Sequence, residues 1–169
     1  MSQRHREVLT RVYEQFGKEL YRYLSMLMGS RDRAEDIMQE VFLRLVRVEG
    51  KDPHALQSRA YLFRVARNEA YRALGRRGRA ATASQNHLLE MCDPNHGSES
   101  ERVMLQEALL KLPEDQREVI HLKIHMNMTF DEIGQLTGVP LDTAASRYRY
   151  ALDRLRSMLD GEVKNETSR

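Results

Sequence analysis

The sequence predicts an all-α protein made of two small helical units, and three observations carry that expectation. Apolar residues recur at steps of three and four through most of the 169 residues, with no strand-like alternation of useful length. A small, polar stretch containing Pro and Gly interrupts this pattern at 81–100. Charge is also divided unevenly. Residues 1–80 hold 17 Lys and Arg against 10 Asp and Glu, a net +7, whereas 81–101 hold four acids and no base. The whole chain carries only +2, so the basic first half is the informative quantity.

A first helix is marked by Val8, Val12, Phe16, Leu20, Leu24 and Leu27 and should stop at Gly29. Asp32 and Glu35 have capping-box spacing, and Ile37, Met38, Val41, Leu45 and Val46 give a second helix its buried stripe. A third helix, from about Gln57 to Gly75, should bury Leu62, Val65, Ala66 and Ala70 and end in the basic run Arg76 to Arg79. These helices make a first domain over 1–80. The stretch 81–100 reads as a flexible linker, with an apolar patch at Leu88, Leu89 and Met91. A second domain over 101–160 opens with Val103, Leu105, Ala108, Leu109 and Leu112. Pro113 then suits the first position of a further helix. Residues 161–169 are expected to be a disordered tail.

The segment MTFDEIGQLTGVPLDTAASRYRYALDRLRSML is the most informative. Thr129 and Glu132 form a capping box, and a short helix runs through Ile133 and Leu136 to Gly138. A second helix begins around Leu141, with Asp142 in its first turn and Ala144, Tyr148, Ala151, Leu152, Leu155 and Leu159 as its apolar stripe. This is helix-turn-helix spacing, in which the second helix enters the major groove. Thr143, Ser146, Arg147 and Tyr150 form its outward set, with Arg149, Arg154 and Arg156 available for phosphates. A charged helix pair around a glycine turn has the same outline. The coincidence of capping box, glycine and a longer basic helix favours DNA.

In SRAYLFRVARNEAYRALGRRGR, Tyr61, Arg64, Asn68 and Tyr71 or Arg72 fall in successive turns of one face. Cations hold phosphates, rings stack on unpaired bases at about 1 to 3 kcal/mol each, and an amide reads a base edge. Tyr61 and Tyr71 taken singly fit either base contact or packing at a helix boundary. The preceding helix leaves Asp36, Gln39, Glu40 and Leu43 on its polar side, a surface open to solvent or to a partner.

Other classes find less support. No run of 18 apolar residues exists, so membrane insertion is not expected. The N-terminus lacks the apolar block and cleavage site of a signal peptide, which implies a cytoplasmic protein. Cys92 stands alone and would need a second partner for redox chemistry. His121 with His125 lacks the Glu of an HExxH metal site, and His87, Cys92 and His96 are irregularly spaced, so no metal and no cofactor are expected. The main rival is a stand-alone regulator that uses the helix-turn-helix on duplex operators. Such a reader would not require the Asn- and Tyr-bearing basic helix.

Three segments in order resemble the extracytoplasmic-function group of the sigma-70 family, over about residues 8–160. AEDIMQEVFLRLVR is similar to the family's region 2.2, RAYLFRVARNEAYRALGRR to regions 2.3 and 2.4, and LLKLPEDQREVIHLKIHMNMTFDEIGQLTGVPLDTAASRYRYALDRLR to region 4. The resemblance implies a sigma factor that directs promoter-specific initiation and leaves catalysis to core RNA polymerase. Asp36, Gln39, Glu40 and Phe42 would lie at or beneath the surface that docks on the β′ clamp helices, and a contact to the β flap is implied as well. Tyr61, Arg64, Arg67, Asn68, Tyr71, Arg72, Arg76 and Arg77 would engage the melted minus-ten element. Thr143, Ser146, Arg147, Arg149, Tyr150 and Arg154 would serve the minus-thirty-five element. Many members carry Lys or Arg at the position of Ala145 and often a second base at that of Tyr150, so the upstream element should differ from familiar ones. The resemblance also implies an anti-sigma partner.

Overall fold

Twenty-six residues of continuous helical periodicity make α1, Gln3–Met28, which buries Val8, Val12, Leu20, Leu24 and Leu27 along one stripe. It stops where Gly29 takes φ +61° and donates its N–H to the Ser25 carbonyl at 2.9 Å. A computed structural model describes the backbone at 3–47, 58–77 and 97–166. The chain divides into two compact units, Met1–Ala83 and Ser84–Arg169. Leu88, Leu89, Met91 and Cys92, the heart of the expected linker, lie outside the described residues.

In the first unit, α2 spans Arg31–Arg47 and α3 spans Arg59–Arg77. The start of α2 differs from the capping box expected at Asp32. The Ser30 carbonyl accepts the Ala34 N–H at 3.0 Å, so the helix begins earlier and Asp32 sits inside its first turn. There its charge complements the helix dipole. α3 runs past Gly75 and ends at Arg77, within the basic run expected to close it. The three helices pack mutually around Leu20, Tyr23, Leu24, Val41, Leu45, Leu62 and Phe63, all essentially solvent-free. Each such side chain contributes about 1.5 to 3 kcal/mol of burial. Phe63, which the periodicity did not single out, meets Tyr23 at a centroid distance of 5.5 Å. His5 Nε2 ties the start of α1 to α2 by donating to the Leu45 carbonyl at 3.1 Å.

The second unit holds α4 (Glu99–Lys111), α5 (Glu114–Ile124), α6 (Phe130–Thr137) and α7 (Leu141–Glu166). Ser98 caps α4 through a reciprocal box with Glu101, so the helix opens two residues before the expected start at Glu101. The Ser98 backbone N–H donates to Glu101 Oε2 at 2.6 Å; with the serine hydroxyl it holds the Glu101 carboxyl below the usual carboxylate range. Pro113 is the N-cap of α5, one position before the place expected for it. α7 packs on α4, α5 and α6, closing a core of Leu109, Val119, Leu122, Ile133, Ala144 and Ala151. Its backbone remains helical past Asp160 to Glu166, beyond the point where the sequence suggested a tail.

Candidate nucleic-acid interface

The helix-turn-helix is built from short-range chemistry. Thr129 accepts the Glu132 N–H at 3.2 Å, and Glu132 Oε2 accepts the Thr129 N–H at 2.7 Å, closing the predicted capping box. α6 ends where Gly138, at φ +76°, donates to the Gly134 carbonyl at 2.8 Å; the Val139 N–H joins the same oxygen at 3.0 Å. Gly134 permits this fold-back because a Cβ there would lie 2.7 Å from the Val139 carbonyl oxygen. Behind the turn, Lys123 donates to the Met128 carbonyl at 3.1 Å and sits over the Phe130 ring, which in turn meets Tyr148 at 5.6 Å. α7 is therefore anchored from both α5 and α6.

On α7, Arg149, Tyr150, Arg154 and Arg156 are exposed, whereas Thr143, Ser146 and Arg147 are half-buried. Arg149 lies over the Tyr150 ring at 5.5 Å. Tyr150 and Arg154 line a shallow cleft with Gln116 and Asp153. Arg147 is engaged within the unit, its Nε 3.1 Å from Asp115 Oδ2 in the first turn of α5. Asp115 is far from Arg147 in the chain, and no local pattern marks it as a counterion.

α3 brings Arg64, Asn68 and Arg72 onto one exposed face at successive steps of four, with Tyr61, Arg67 and Tyr71 half-buried beside them. Arg67 covers the Tyr71 ring at 4.4 Å. The side chains of Arg76 and Arg77 lie outside the described residues. Glu69, the one acid in α3, is bridged by Arg44 from α2 and by Arg72 at 3.1 Å. The sequence held a signal for this in a single carboxylate set among arginines. On α2, Asp36, Gln39, Glu40 and Leu43 are exposed, and Phe42 is half-buried, edge-on to the exposed Tyr13 of α1 at 5.4 Å. Tyr13 was not legible as part of that face, because nothing in α1 alone links it to Phe42.

Among the described residues no group of three or more His, Cys, Asp and Glu could hold a metal ion. His121 and His125 stack at 5.1 Å, while His87, Cys92 and His96 are outside the described residues. No described helix is long and apolar enough to cross a membrane.

Two modules in fixed order define a class of transcription factor. Residues 12–80 match the sigma-70 region 2 model and residues 108–157 the sigma-70 region 4 model. The ECF RNA polymerase sigma factor EcfG of Rhodopseudomonas palustris is 31% identical, with 79% of this chain and 75% of the relative covered. SigL of Mycobacterium tuberculosis, an ECF RNA polymerase sigma factor, is 29% identical over 88% of this chain and 86% of its own. The sigma factor RpoE, solved in complex with the anti-sigma factor NepR from Bartonella quintana, shares the fold. Its TM-score is 0.66 at 22% identity, covering 89% of this chain and 96% of RpoE. CnrH, solved with the cytosolic domain of CnrY, gives a TM-score of 0.64 at 25% identity, covering 90% of this chain and 88% of CnrH. The chain belongs to the extracytoplasmic-function sigma factors of the sigma-70 family. Its function is to direct RNA polymerase to promoters in transcription initiation.

Proposed function

We propose that this sigma factor docks on the β′ clamp helices of core RNA polymerase through Asp36, Gln39, Glu40 and Phe42, captures a melted minus-ten element on α3 and reads a minus-thirty-five element as duplex with α7. The observation that carries this division of labour is the contrast in chemistry between α3 and α7. α3 interleaves aromatic rings with arginines and an asparagine, the chemistry that suits unstacked bases. α7 follows a capped helix and a glycine turn, the geometry that suits a major groove. Taking a base out of the stack costs a few kcal/mol, so anchoring the second unit on paired DNA offsets the cost of opening.

The corresponding boundaries are 1–80 for polymerase and minus-ten binding, 81–100 for the connection and 101–160 for minus-thirty-five binding, with the β flap as the second unit's polymerase contact. The chain acts in the cytoplasm and contributes specificity, while the polymerase core performs phosphoryl transfer. RpoE and CnrH, each solved with a second protein, support control of this chain by an anti-sigma factor that covers its polymerase-binding faces.

The deciding experiment is transcription from a pool of genomic fragments by core polymerase with and without the protein. New start sites sharing two upstream elements are expected. Duplex binding without any core-dependent initiation would instead make the chain a stand-alone regulator.

A further inference from the structure

We propose that Leu141 and Ala145 read thymine methyl groups in the minus-thirty-five element, an inference that rests on the assignment of α7 as the duplex-reading helix.

At 100° per residue, the N-terminal half of α7 has three distinct sectors. Ala144 faces the core, fully buried, with Tyr148 beside it against Phe130. Arg147 lies on one flank, drawn toward α5 by Asp115. The opposite flank carries Leu141, Ala145 and Arg149 at successive steps of four, so the three side chains line up along the helix. Leu141 keeps 47% of its surface in solvent, and Arg149 is exposed. The face thus runs from apolar at the helix start to cationic two turns later.

A single exposed leucine is ordinary on a protein surface, so its place on this helix carries the weight. The first turns of a recognition helix meet base edges. Leu141 and Ala145 have neither donor nor acceptor to offer those edges, and the only apolar group that a base pair displays in the major groove is the thymine C5-methyl. Asp142, exposed beside Leu141, disfavours a phosphate at this end of α7. The exposed Arg149, Arg154 and Arg156 farther along suit the backbone instead. Together these features present a methyl-reading tip on a helix whose cations begin beyond it.

The test uses the full chain bound to core polymerase and a promoter duplex identified by run-off transcription. Each thymine of its upstream element is replaced singly by deoxyuridine, which deletes only the methyl group. The wild-type complex should bind about fourfold more weakly at one or two of these positions, the loss expected for one buried methyl. Leu141→Ala should abolish the penalty at one such position, Leu141→Met should retain it, and Ala145→Ser should abolish it at a neighbouring one. Indifference of the wild type to every deoxyuridine, or an equal penalty in Leu141→Ala and Ala145→Ser, would overturn the inference while leaving α7 as the duplex reader. A complex that binds scrambled and promoter upstream elements alike would overturn both.

Discussion

Asp115 in the first turn of α5 holds Arg147 of α7 through a 3.1 Å contact to Nε, with both side chains partly open to solvent. A pair of that exposure contributes up to about 1 kcal/mol to stability, so its main effect is to fix a direction for the guanidinium. The contact is made through Nε, with the Arg147 side chain 29% exposed.

Arg147→Ala should therefore weaken binding to every duplex alike and reduce the magnitude of the logarithmic salt slope by about 1, as a phosphate contact does. Binding isotherms at several salt concentrations, on a promoter duplex and an unrelated one, measure this. A loss confined to the promoter, of about 1 to 3 kcal/mol, would make Arg147 a base reader.

Asp36→Arg reverses a charge on the exposed face of α2. Affinity for core polymerase should fall roughly tenfold or more through misplaced charge, without a change in the melting temperature of the chain. Unaltered core binding would return this face to solvent.

Tyr61→Ala and Tyr71→Ala should each cost about 1 to 3 kcal/mol in binding a single-stranded oligonucleotide that carries the minus-ten sequence. Phe at either position should retain most of the affinity, since the ring does the stacking. A fall in thermal stability with oligonucleotide affinity intact would assign the tyrosine to packing.

Gly134→Ala places a Cβ 2.7 Å from the Val139 carbonyl oxygen. Opening the turn to admit it should destabilise the second unit by about 1 to 3 kcal/mol and weaken duplex binding with it. Calorimetry of the variant beside wild type checks the prediction.

Ser98→Ala should raise the Glu101 pKa only part of the way toward its ordinary value, because the Ser98 backbone N–H, the larger cause of the lowering, survives the substitution and only the hydroxyl is lost. The sign follows from linkage. A carboxyl depressed in the folded state stabilises that state fully above the unfolded pKa, and the contribution is lost as pH falls through the lower folded value. An NMR titration of Glu101 in both proteins reads the shift directly.

The periodic stripes that identified α1, α2 and α3 were legible because burial dictates them, and Thr129, Glu132 and Gly138 were legible because caps are local chemistry. Asp32 was misread for the same local reason. Its spacing to Glu35 mimics a box, yet the Gly29–Ser30 turn had already started the helix. The basic run was legible as the end of α3, and Gly75 lies inside the helix because glycine without a positive φ only weakens it. Asp115 and Tyr13 escaped notice because their partners, Arg147 and Phe42, lie on other helices and meet them only through tertiary packing.

Glu69 gives Arg44 and Arg72 one counterion to share between α2 and α3. Removing Arg72 alone strips the carboxylate of one partner but leaves it neutralised, whereas losing both arginines strands a carboxylate that is only 12% exposed. The two arginines therefore back each other up, and natural variation should accept the loss of either one more readily than the loss of both. Glu69→Gln should in turn rescue the double loss. The helix assigned to polymerase and the helix assigned to melted DNA thus share one evolutionary constraint, and their sequences should drift in step at these three positions.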